Sequence, residues 1–207
     1  MNVRKKVNEI LRKERARDRQ LLKKYPWLQC YDWHGNLVKD AIDWGWSDGW
    51  DWALGKEFMA DLDKAIKLDG AEKTFRIEQV KEKWGRLVLY YSGAGENVNK
   101  VVSDYECVSE GVCMRCGSPY AQMTYTGWNF PCCQSCWEKT YNKPWDDVKK
   151  SDFIGIPTER HWRRFSKDGN IDGVSDLSYI RDRLINKWNK RIAKRQRRQS
   201  MYVGSKT

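Results

Sequence analysis

Four of the seven cysteines in this 207-residue chain have a spacing that does chemistry. Cys113-x-x-Cys116 is followed, sixteen residues on, by Cys133-x-x-Cys136. Each short knuckle presents two sulfurs to one ion, and two such pairs at this separation predict a tetrahedral zinc site. Gly117 allows a tight turn after the first knuckle, residues 120–130 alternate about Gly127 as a hairpin would, and "QSCWEKTYNK" reads as a helix up to Pro144. Knuckle, hairpin and ligand-bearing helix together suggest a treble clef. Cys132 offers a second register, Cys132-x3-Cys136, while the repeated CxxC favours Cys133. Four thiolates close the coordination shell, so the expected zinc is structural, with no position open for a reacting water. A redox role for either CxxC needs a thioredoxin-like βαβ context, which the surrounding sequence lacks. Cys30 and Cys107 read as buried thiols.

Little else in the chain carries catalytic chemistry. The two histidines, His34 and His161, stand in no motif with a nucleophile or a metal partner, and His34 belongs to the turn His34-Gly35-Asn36. There is no Gly-rich phosphate loop, no GxSxG and no HExxH. The acid pairs Asp48/Asp51 and Asp146/Asp147 read as ordinary loop and helix-face residues. A binding protein, not an enzyme, is the expectation.

What would it bind? The net charge of +11 is uneven. Residues 1–24 hold ten Lys/Arg against three acids, residues 176–207 hold ten against two, and the rest of the chain carries the remaining −4. Two basic arms on a mildly acidic body attract polyanions through long-range fields and counterion release. The plain alternative is a pair of solvated helix faces. In "IPTERHWRRFSKDGNIDG", Arg160, Arg163 and Arg164 interleave with Trp162 and Phe165, a pattern that sets phosphate contacts beside stacking rings or packs its rings inward. Beyond it Leu177, Ile180, Leu184, Trp188 and Ile192 form an apolar stripe. Arg183, Lys187, Lys190, Arg191, Lys194, Arg195, Arg197 and Arg198 cover the other faces of the same helix. These cations, with Arg160, Arg163 and Arg164, are the candidate nucleic-acid contacts.

The elements that must position these residues read as α+β: small antiparallel hairpins with helices and a four-cysteine zinc module, flanked by basic helices. Residues 1–24 form a basic helix, 25–110 an α+β body, 111–145 the zinc module, and 146–207 a segment ending in the second basic helix. In the body, "DWGWSDGWDW" leads into apolar residues at every fourth position: Trp50, Leu54, Phe58, Leu62 and Ile66. This is a core-facing helix with Ser47 or Asp48 as its N-cap and Gly70 beyond its end; Trp50 is core, and Trp44 and Trp46 pack as a lid. "TFRIEQVKEKWGRLVLYYSG" reads as a hairpin with its arms on either side of Lys83-Trp84-Gly85, its arm "LVLYY" covered on both faces. A helix follows from Glu96, with Val98, Val101, Val102, Tyr105 and Val108 on one side. No run approaches 18 apolar residues, and the charged N-terminal segment lacks an apolar signal core, so no membrane span and no secretory route are expected. The odd cysteine number fits a reducing compartment.

Segments of the body, "RIEQVKEKWGRLVLYYSG", "DYECVSEGVCMRCGSP" and "CQSC", resemble a family of uncharacterised phage and prophage proteins. There a Val-Lys-Glu-Lys-Phe/Trp-Gly turn runs into a Leu-x-x-Tyr-Tyr strand, a helix and a cysteine knuckle. "DGWDWALGKEFMADLDKAI" is similar to a helix preceding that core. The resemblance covers roughly residues 44–138 and leaves out both basic ends. Where Trp84, Arg86 and Cys136 stand here, family members often show Phe, Gly and His. The last change keeps a zinc ligand but alters the charge of the site. The resemblance implies a phage-encoded accessory protein in the bacterial cytoplasm and no activity. Two partners then compete: nucleic acid or a protein–nucleic acid assembly, or a host defence protein inhibited by direct binding in the manner of an anti-CRISPR. A wall-glycan binder using "DWGWSDGWDW" is a weaker third reading.

Overall fold

The computed structural model describes residues 3–31, 34–38, 46–156 and 177–204. Helix α1 (Val3–Lys24) and a 3-10 turn (Pro26–Leu28) come first. They are followed by α2 (Asp48–Trp50), a π-helical turn (Asp51–Gly55), α3 (Lys56–Leu68), β1 (Arg76–Lys83), β2 (Arg86–Ser92) and α4 (Glu96–Ser109). Strands β3 (Gln122–Tyr125) and β4 (Asn129–Cys132), α5 (Gln134–Tyr141) and α6 (Leu177–Gly204) complete the order. The strands form two separate two-stranded sheets, β1-β2 and β3-β4. Mixed helices with small antiparallel sheets match the α+β expectation. Among the described residues no helix is long and apolar enough to cross a membrane. Trp44 and the stretch containing Arg160, His161, Trp162, Arg163, Arg164 and Phe165 lie outside the described residues.

The chain falls into two compact units, each drawn from separate stretches. One takes its described residues from 1–45, 59–81 and 88–102. Its centre is Trp27, Leu62, Ile66, Phe75 and Val98, all buried. The Trp27 indole donates to Asp63 at 3.1 Å and meets the Phe75 ring edge-on, so the ring is fixed at both its polar and apolar ends. Asp69 caps α4 from outside the helix, accepting the backbone N–H groups of Gly95, Asn97 and Val98. A free first turn of a helix leaves such donors unpaired, and a carboxylate also suits its positive end. Within α1, Val7, Ile10 and Leu11 are exposed.

The other unit takes its described residues from 46–58, 82–87 and 103–207. Trp50, Phe58, Tyr105, Val108 and Val112 are buried in it, and the Trp50 indole donates to the Val112 carbonyl at 2.9 Å. The "DGW" sequence has a packing reason: a Cβ on Gly49 would lie 2.3 Å from the Cys113 carbonyl oxygen. The backbone here approaches the first cysteine knuckle directly, through Gly49 N–H to Met114 O at 2.9 Å.

Trp50, Leu54, Phe58, Leu62 and Ile66 are each 1% exposed or less, as the four-residue repeat predicts. On an ideal helix that repeat drifts by about 40° per step. The π turn at Asp51–Gly55, being wider, offsets part of the drift and keeps the stripe on buried ground. The first hairpin also forms as expected, with Trp84 and Gly85 both at positive φ (60° and 82°), as a two-residue type I′ turn requires. Its arm "LVLYY" departs from expectation. Leu87 and Leu89 are buried while Tyr90 is exposed, because a two-stranded sheet has only one face packed and the other open. Arg86 pairs with Glu106 of α4 at 2.9 Å.

Candidate metal centre and basic helix

The first knuckle follows the turn that ends α4. Gly117 N–H donates to Cys113 O at 2.8 Å and Cys113 N–H to Ser118 O at 2.9 Å, which folds residues 113–118 into a closed loop with both sulfurs on one side. Strands β3 and β4 then pair antiparallel, Gln122 against Cys132 through Tyr125 against Asn129. Met114 N–H bonds Pro131 O at 3.0 Å, tying the first knuckle to the strand that delivers the second. Cys133 sits at the N-cap position of α5, and its carbonyl accepts Cys136 N–H and Trp137 N–H at 3.1 and 3.0 Å. The helix start therefore fixes Cys133 and Cys136 relative to each other.

The result is a group of four sulfurs, from Cys113, Cys116, Cys133 and Cys136, all within 4.8 Å of one another. Cys116 and Cys133 are 3.6 Å apart. Tetrahedral zinc at a Zn–S distance of about 2.3 Å has a sulfur–sulfur edge of about 3.8 Å, so the cluster fits that ion. Its electrostatics point the same way. Hydrogen bonds from Cys116, then from Cys132 and Cys133, pull the Cys113 thiol far down. The same hydrogen bond to Cys113 pushes Cys116 up to about 12. Cys113 is also the main cause that raises Cys133. One thiolate forbids its neighbours from ionising, and only a cation would let all four do so. Cys113, Cys116, Cys133 and Cys136 are positioned to bind a metal ion, and zinc is compatible with them. A packed apolar wall of Ala121, Trp137, Trp145 and Val148 backs the cluster.

Cys132, the alternative ligand, is fully buried and turns its sulfur toward the Cys133 carbonyl, 3.5 Å away. It lies near enough to Cys113 to be raised by it, yet falls outside the group of four. Cys107 is buried, as expected, whereas Cys30 is only half-buried.

The second candidate feature is α6. Its apolar stripe is seated at Leu177, Ile180 and Leu184, all buried. Three of the proposed nucleic-acid contacts have partners inside the protein. Arg183 donates to the Tyr105 hydroxyl. Lys187 reaches Glu57 at 2.9 Å and the Ala53 carbonyl at 3.2 Å. The Arg191 guanidinium lies 4.0 Å from the centre of the Trp52 ring and donates to Cys116 O at 2.7 Å. Trp188 adds an edge-on contact to Trp52. These three cations anchor the helix. Lys190, Lys194, Arg195, Arg197 and Arg198 are exposed.

The tryptophan cluster of "DWGWSDGWDW" thus divides by position. Trp50 is core, and the Trp46 ring lies 5.4 Å from Phe58. Trp52 is half-buried and carries Arg191. Sequence reading missed Trp52 and Glu57 as the seat of α6. The available signal was the step of two residues from Trp50, which turns Trp52 to a different helix face. No protein-family model matches the chain, and neither does any curated protein or solved structure.

Proposed function

We propose that this is a zinc-stabilised accessory protein, phage-encoded and resident in the bacterial cytoplasm, that binds nucleic acid or a protein–nucleic acid assembly. In this reading the zinc module is treble-clef-like, built from the first knuckle, the β3-β4 hairpin and α5, and zinc has a structural role. The observation that carries the proposal is the division of labour along α6. The helix is pinned beside the first knuckle through Arg191 and Cys116 O, while Lys190 and, beyond the anchor, Lys194, Arg195, Arg197 and Arg198 are offered to solvent. A rigidly held helix with an exposed cationic end loses little entropy on meeting phosphates, and each phosphate neutralised releases counterions.

The test is a salt titration of binding to a short duplex and to a single strand of matched length, with the whole chain and with a variant ending at Ala193. The shorter variant keeps Arg191 and its contacts but removes four helix cations, Lys194, Arg195, Arg197 and Arg198, together with Lys206. If these four contact phosphate, the slope of log K against log salt becomes shallower by roughly three to four for duplex. Unchanged affinity and slope would reject the helix end as a phosphate contact. A second reading, direct inhibition of a host protein, is favoured by the exposed Val7, Ile10 and Leu11 on α1, since an apolar row on a basic helix suits a groove on an acidic partner. Absence of nucleic-acid binding even at low salt, together with a stoichiometric complex in nuclease-treated host lysate, would favour that reading.

A further inference from the structure

Away from the cysteines and α6, two hairpin tips lie together in the second unit, residues 82–87 and the turn between β3 and β4. The tip of β1-β2 carries Trp84, 75% exposed, and the tip of β3-β4 carries Trp128, 67% exposed. A groove of about 410 Å³ lies there, lined by Glu82, Lys83, Trp84, Gly127, Trp128 and Asn129. Its size falls within the range of small-molecule sites, roughly 300–1,000 Å³.

Neither indole is placed there by packing. Trp84 has a φ of 60°, at a turn position where Asn, Asp or Gly sits without strain and a bulky side chain does not. The tips also have little freedom to separate. A Cβ on Gly85 would lie 2.5 Å from Met123 Sδ and 3.0 Å from Asn129 O, so the two hairpins are in direct contact beside the rings.

We propose that this groove is a binding site for a base of single-stranded nucleic acid, stacked on Trp84 and Trp128. Indole faces stack on any base, which gives binding without sequence readout. The polar groups present fit a nucleotide better than a sugar. The one carboxylate in the lining, Glu82, already accepts Gly85 N–H at 2.5 Å, which leaves it fewer lone pairs for sugar hydroxyls. Lys83 remains to meet a phosphate, and Asn129 can pair with a base edge. The cationic excess of this unit lies in residues 176–207, ten Lys/Arg against two acids, and it would draw a polyanionic strand to the unit. The proposal rests on the nucleic-acid reading for its ligand class but uses different residues.

The experiment measures anisotropy of two labelled 15-mers, oligothymidylate and the same strand made wholly abasic. The proteins are the whole chain, Trp84→Ala, Trp128→Ala, Trp84→Phe and the variant ending at Ala193, each over a range of salt. The thymidylate should bind tighter than the abasic strand. Each Trp→Ala change should weaken thymidylate binding about 5- to 150-fold and leave abasic binding and the salt slope unaltered, and Trp84→Phe should keep most of the binding that Trp84→Ala loses. Equal binding of both strands with silent tryptophan variants would overturn the base clamp and leave the cationic helix end standing. A tryptophan effect that persists with an unchanged slope in the shortened variant would do the reverse. Tighter binding of tetra-N-acetylglucosamine than of thymidylate would overturn the clamp in favour of a glycan, and no binding of either strand would overturn both readings.

Discussion

Trp50 and Trp84 are the same residue type in opposite surroundings, and replacing each by alanine should separate them sharply. Trp50 is fully buried, ringed by an apolar stripe, and donates its indole N–H to the Val112 carbonyl at 2.9 Å. Truncation of a buried aromatic costs about 3–5 kcal/mol, and here it also strands a buried carbonyl. An expected loss of about 4 kcal/mol is a large share of the 5–15 kcal/mol that ordinary domains possess. With a urea m-value of about 2 kcal/mol per molar, the midpoint falls by about 2 M. Trp50→Phe keeps most of the apolar contact and isolates the hydrogen bond, for about 1–3 kcal/mol. Trp84→Ala removes a three-quarters-exposed ring and should stay within about 0.5 kcal/mol of the parent. Trp84→Gly should gain about 1 kcal/mol by relieving the left-handed backbone. Urea unfolding followed by circular dichroism, at fixed zinc, decides the matter. A Trp50→Ala midpoint within 0.5 M of the parent (about 1 kcal/mol at that slope), or one no lower than that of Trp84→Ala, would refute the assignment of Trp50 to the core.

Elemental analysis should find one zinc per chain. Cys133→Ser should lose it and unfold the module, while Cys132→Ser retains metal; the opposite result would move the ligand to Cys132. Arg191→Ala breaks the bond to Cys116 O and the stack on Trp52, so amide exchange should quicken along α6, with a cost of about 1–2 kcal/mol; unchanged exchange would show that the anchor lies elsewhere. Asp69 is partly buried, which pushes its carboxyl up, but the N–H groups of Val98, Asn97 and Gly95 and the Asn97 side chain outweigh this and hold it below 3.8. Its folded value is depressed, so its stabilisation is present in full above about pH 4 and disappears as pH falls through the folded value. Asp69→Asn should therefore be less stable than the parent at pH 7 and converge on it in strong acid, as acid titrations of the two would reveal.

The residues that sequence reading placed well are those governed by local spacing. Two CxxC pairs restrict each other within a short segment, and the four-residue stripe from Trp50 to Ile66 is a property of one helical run. The hairpin about Lys83-Trp84-Gly85 is likewise local. The anchoring role of Lys187 was hidden because its partner Glu57 lies 130 positions away, and nothing in a basic helix tells which cations will find acids. The exposed face of β2 was hidden for a related reason: five apolar residues in a row do not reveal how many strands or helices will cover them. The compact units are drawn from alternating stretches of chain, an arrangement no composition shift announces.

Cys116 contributes its sulfur to the cluster of four and its carbonyl oxygen to Arg191 of α6. One residue thus belongs to two equilibria, metal capture and helix docking, and linkage makes their coupling symmetrical. By whatever factor a docked α6 tightens a metal ion in the cluster, that ion tightens the docking of α6. A polyanion that drew the helix away from Cys116 would loosen the metal by the same factor with which the metal opposes that movement, so metal affinity becomes a gauge of what the helix is holding.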